Sequence, residues 1–106
     1  MTYRHKIGAT LRLAGQLTLA GQAQDMSGWT AAASMRGPGG EIPLAATWLD
    51  AAAGQLELFA DAADQAGWTP GRYAVDVRLT SPTGEVLISD SDEVELLRAV
   101  TPTPAP

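Results

Sequence analysis

Glycine and proline break this chain so often that few windows could hold an uninterrupted helix. Eleven glycines and seven prolines fall among its 106 residues. Between the breaks lie short segments in which apolar and polar residues alternate with period two, the signature of half-buried strands. Residues 72–80 give the clearest one. Tyr73, Val75, Val77 and Leu79 alternate there with Arg72, Asp76 and Arg78. Residues 29–36 place Trp29, Ala31, Ala33 and Met35 on one face. The Gly37-Pro38-Gly39-Gly40 run then closes a hairpin into a strand carrying Ile42, Leu44, Ala46 and Trp48. Pro43 inside that strand argues for a sheet edge or a late start, because proline cannot donate to a ladder.

Residues 10–19 put Leu11, Leu13, Leu17 and Leu19 in phase, with Gly15 expected to mark a bulge or bend. Ser81-Pro82-Thr83-Gly84 has the proline and glycine positions of a type I turn, so residues 85–89 should return antiparallel. Residues 92–99 make a last strand with Val94 and Leu96 inward. The window 50–67 is ambiguous, because its alanines favour helix. Gly54 and the alternation of Leu56, Leu58 and Ala60 favour a strand over 55–60 followed by a short helical turn over 61–66, with a single helix as the alternative.

These segments suggest an all-β fold: an immunoglobulin-like antiparallel β-sandwich of about seven strands with at most one short helical turn. Tyr73 opens a late strand just after a corner at Gly71. That is the setting of a tyrosine corner, in which the hydroxyl bonds a main-chain group of the preceding turn. Residues 1–7 read as an N-terminal arm, 8–99 as the sandwich, and 100–106 as a Pro-rich extended tail. No apolar run reaches the roughly 20 residues of a membrane helix, and the basic start has no apolar segment behind it to make a signal peptide.

Charge and residue inventory narrow the function. Seven basic against twelve acidic residues leave a net charge of −5, an unpromising footprint for nucleic acid. Cysteine is absent and His5 is the one histidine, so the usual zinc sets cannot be assembled and no cofactor is expected. A catalytic triad would need His5, which is expected to be solvent-exposed in a terminal arm. Asp90, Asp92, Glu93 and Glu95 lack calcium-loop spacing and read as a solvated acidic face. Asp61 and Asp64, with Asp50 or Glu57, could be offered as a hydrolytic carboxylate pair, but any acidic chain supplies such pairs. Trp29 and Trp48 fall in phase with apolar faces and are expected in the core. Trp68, at the corner before Thr69-Pro70-Gly71, is expected to cover one end. Three exposed indoles on one face would instead indicate a carbohydrate-binding module. No enzymatic activity is expected.

The runs Ile7-Gly8-Ala9-Thr10-Leu11, Asp25-Met26-Ser27-Gly28-Trp29-Thr30, Met35-Arg36-Gly37, Gly54-Gln55-Leu56-Glu57-Leu58, Gly71-Arg72-Tyr73 and Thr83-Gly84-Glu85-Val86 together form a pattern over residues 7–98. It resembles the immunoglobulin-like domain at the N-terminus of tailed-phage baseplate upper proteins, and small phage proteins similar to it. Ala9 departs where that pattern carries aspartate. The resemblance implies a virion structural protein, assembled in the host cytoplasm, that binds other virion proteins of the tail, baseplate or fibre-attachment region in symmetric copies. A capsid decoration protein is the alternative within that class. The expected interfaces are the terminal segments, with Tyr3, Arg4, Lys6, Thr101, Pro102 and Pro104, and a sheet edge beside Pro43. No nucleic acid or membrane partner is expected.

Overall fold

The computed structural model describes residues 2–101. Ten strands are present among them: β1 (Thr2–Lys6), β2 (Leu11–Gln16), β3 (Thr18–Leu19), β4 (Gln22–Ala23), β5 (Thr30–Gly37), β6 (Gly40–Asp50), β7 (Gln55–Ala60), β8 (Gly71–Thr80), β9 (Val86–Ile88) and β10 (Asp92–Leu97). One sheet runs β1-β10-β8-β5 and ends in the first half of β6, while β9 continues the line of β10 along the far end of β8. The other sheet runs from the second half of β6 through β7 to β2. The two layers therefore share β6. Its residues 40–44 pair with β5 and its residues 45–50 with β7, with a bulge between Trp48 and Asp50.

The period-two patterns explain the core. Tyr73, Val75, Val77 and Leu79 of β8, Ala33 and Met35 of β5, and Val94 and Leu96 of β10 are buried from one sheet. Leu11, Leu56, Leu58 and Ala60 meet them from the other, with Ile42, Leu44 and Met26 completing the cluster. All the strand pairs are antiparallel except one: β1 lies parallel to β10, from Thr2 opposite Glu93 to Lys6 opposite Leu97. With strand order, two-layer packing and the corner at Tyr73, the fold is an immunoglobulin-like β-sandwich.

Several expectations change. Residues 2–6 are a strand of the main sheet rather than an arm. His5 is buried at 5% exposure instead of standing in solvent. A parallel strand needs only its backbone and one inward residue to dock here, so TYRHK pairs without an apolar alternation. Gly15 marks no bulge, because the β2–β7 ladder runs unbroken from Leu11 opposite Ala60 to Gln16 opposite Gln55. Leu19 is exposed, since the strand ends at Gln16 and the chain turns into the small β3–β4 hairpin.

Residues 55–60 form the expected strand. The turn after it is 3-10 at Ala62–Gln65, and a second 3-10 turn at Ala51–Ala53 was not expected. Gly54 ends that second turn with a left-handed φ of 69°. A Cβ there would sit 2.6 Å from the Gln24 carbonyl oxygen, so glycine lets the β3–β4 excursion rest on the β6–β7 connection. No helix among the described residues is long and apolar enough to cross a membrane.

Candidate interaction surface

Tyr73 organises one end of the sandwich. Its ring is 1% exposed, its hydroxyl donates to the Thr69 carbonyl at 2.8 Å, and the same oxygen accepts the Gly39 amide at 2.9 Å. The β5–β6 hairpin is thereby tied to the corner that starts β8. Glycine is required where the hairpin crosses the ring: a Cβ at Gly37 would lie 2.7 Å from the Tyr73 ring and 2.6 Å from the Arg72 carbonyl.

Gln65, which carried no sequence signal, is the polar centre of the same end. It is fully buried. Its Oε1 accepts from the Gly8 amide at 2.9 Å and lies 3.1 Å from His5 Nε2, which must then donate. Its Nε2 donates to the Ala9 carbonyl at 2.6 Å. An uncharged side chain with both donor and acceptor ends satisfies main-chain groups of the β1–β2 turn that no strand pairs. A polar residue in an acidic, alanine-rich turn gives no hint of that burial.

The tryptophans divide between the ends. Trp48 Nε1 donates to the Trp29 carbonyl at 2.9 Å, next to the Thr30–Thr80 end of the β5–β8 ladder. Trp68 precedes β8 and therefore stands at the opposite end, its ring 6.4 Å from that of His5. All three are partly buried against the core, and they do not form one platform.

Glu93 and Glu95 of β10 are engaged in the sheet. Glu95 pairs with Arg4 at 3.1 Å, while Glu93 accepts from the Thr2 hydroxyl at 2.7 Å and lies 3.6 Å from Arg72. These pairs lie across neighbouring strands and are largely solvated, so each contributes little to stability. No group of three or more metal-ligating side chains occurs among the described residues. Asp61 and Asp64 share a surface groove of about 380 Å³ with Ile42, Pro43, Phe59 and Trp68. Asp50 and Glu57 are not among the residues lining it.

No protein-family model and no curated protein matches the sequence. Among solved structures, the chain is similar to murine CRIg, at 10% identity with 92% of each chain covered and a TM-score of 0.42. It is also similar to AggA, the major subunit of aggregative adherence fimbriae type I from Escherichia coli, at 9% identity with 92% of this chain and 89% of that one covered and a TM-score of 0.37.

What the surface offers is open strand edges. Among the described residues, no strand pairs with the outer flanks of β1, β2, β9 or residues 40–44 of β6. Tyr3, Arg4 and Lys6 are exposed along β1, and Pro43 is exposed on the β6 edge beside the groove. Thr101 is exposed beyond β10, while Pro102 and Pro104 lie outside the described residues.

Proposed function

We propose that the protein is a non-enzymatic structural module of a tailed-phage virion, an adaptor of the tail, baseplate or fibre-attachment region that binds other virion proteins. The observation that carries this reading is the set of unpaired strand edges around a well-packed sandwich. Such edges hold a partner's extended segment by main-chain hydrogen bonds, without a cleft or a charged patch. The phage-like pattern of turn and corner residues over 7–98 supports the choice of a virion. The net charge of −5 suits a protein made in many copies, because like charge keeps it soluble before assembly.

Lys6, the single lysine in the sequence, sits at the end of the open β1 edge. Amine-reactive cross-linking of purified particles should therefore join Lys6 to a tail or baseplate protein. Cross-links to a major capsid protein would move the module to the shell. Absence of the chain from the particles would overturn the assignment to a virion.

A further inference from the structure

The open edges are not alike. β1 carries Arg4 and Lys6, β2 carries Arg12, and the β6 edge carries Pro43, features that restrict those edges to a partner strand of matching charge and shape. β9 has no such guard. Val86, Leu87 and Ile88 follow one another at 41%, 46% and 63% exposure.

The ladder fixes which groups of β9 face outward. The Ser81 amide donates to the Glu85 carbonyl and the Ser89 amide to the Val77 carbonyl, while Leu87 stands opposite Leu79 between them. Residues 85, 87 and 89 therefore turn their main-chain groups toward β8. By alternation, Val86 and Ile88 turn their N–H and C=O groups away from the sheet.

We propose that β9 pairs antiparallel with β9 of a second copy of this chain, about a twofold axis at Leu87. That register sets Val86 opposite the partner's Ile88 and uses all four outward groups of each copy, closing four main-chain hydrogen bonds. The twofold relation makes the contact self-complementary and closed at two copies. Side chains agree with it. Leu87 meets its own counterpart beside Leu79, and the two Val86–Ile88 pairs meet on the opposite face, where Arg78 and Thr80 lie. Charge also selects this register. Glu85 falls opposite Ser89, Asp90 opposite Gly84 and Asp92 opposite Pro82, so no carboxylate lies opposite or diagonal to another. Moving the axis to Val86 brings the two Glu85 carboxylates onto a diagonal. Moving it to Ile88 sets Val86 against Asp90.

This inference deepens the reading as an assembly module by making a second copy one of its partners. A three-residue ladder is a small interface, so the pair forms at high local concentration, as in a particle built of many copies.

The chain has no cysteine, so a single introduced thiol is a clean reporter. At a non-hydrogen-bonded antiparallel pair the two Cα atoms lie about 4.5 Å apart, within disulfide reach. Leu87→Cys should therefore form a disulfide dimer under mild oxidation on the order of tenfold faster than the exposed control Thr83→Cys. Ile88→Pro deletes one outward N–H that the β8 ladder does not use. At roughly millimolar concentration it should sediment as a monomer where the unaltered chain sediments partly as a dimer. Equal cross-linking of the two cysteine variants, or an unaltered chain that stays monomeric at that concentration, would overturn the proposal. These results come from purified protein and are independent of whether the chain is found in particles.

Discussion

The Tyr73 hydroxyl donates to the carbonyl of Thr69, four residues back, across a distance of 2.8 Å. The corner before β8 is thus held by a residue inside β8, and the Gly39 amide of the hairpin leans on the same oxygen. Tyr73→Phe removes one donor and one acceptor and leaves Gly39 without its partner. Thermal or denaturant unfolding should show a loss of about 1–3 kcal/mol. That is on the order of 5–15 °C in melting temperature for a domain of this size.

Gln65 gives a sharper test because its two ends have different partners. Gln65→Leu keeps the volume but strands the Gly8 amide and the Ala9 carbonyl, and should destabilise by at least about 2 kcal/mol. Gln65→Glu should be worse at neutral pH, since a carboxylate oxygen would then face the Ala9 carbonyl. Only the protonated acid can donate there, and this contact together with burial raises the folded-state pKa of the new group above its unfolded value of about 4.3, against the opposing pull of the Gly8 and His5 donors on its other oxygen. The variant should therefore be least unstable below that value and lose stability as pH rises through the folded pKa. Parallel denaturant melts from acid to neutral pH check this.

Deleting Thr2–Lys6 removes a paired strand and the buried His5 rather than a loose arm. The shortened chain should lose about 2 kcal/mol or more, on the order of 10 °C in melting temperature. An unchanged melting temperature would show that β1 adds nothing to the fold.

Asp25 accepts from both the hydroxyl and the amide of Ser27, at 2.6 and 2.9 Å. These bonds, the hydroxyl first, hold its carboxyl below the ordinary value of 3.8. The turn they support is fully favoured above that value and weakens as pH falls through the lower folded-state pKa. An NMR titration should place the Asp25 midpoint below 3.8, and Ser27→Ala should move it up.

The sandwich was legible wherever one strand face is apolar. Tyr73 to Leu79 and Leu56 to Ala60 announce their faces because period-two alternation meets a single core. β1 announces nothing, because in TYRHK the one inward residue is a histidine whose polar edge is satisfied by Gln65. Leu19 misled for the opposite reason: it keeps phase with Leu17, but the pairing with β7 stops at Gln16. The open edge at Val86–Ile88 was hidden as well. Three adjacent apolar residues read as an ordinary returning strand until the partner on only one side is seen.

The parallel pairing of β1 with β10 also sets an order of events during synthesis. Thr2–Lys6 leaves the ribosome 91 residues ahead of its partner Glu93–Leu97. The emerging chain must therefore carry β1 unpaired until β2 through β9 have been translated. Closure then joins two strands that lie far apart in the chain, a long-range contact of the kind that slows folding.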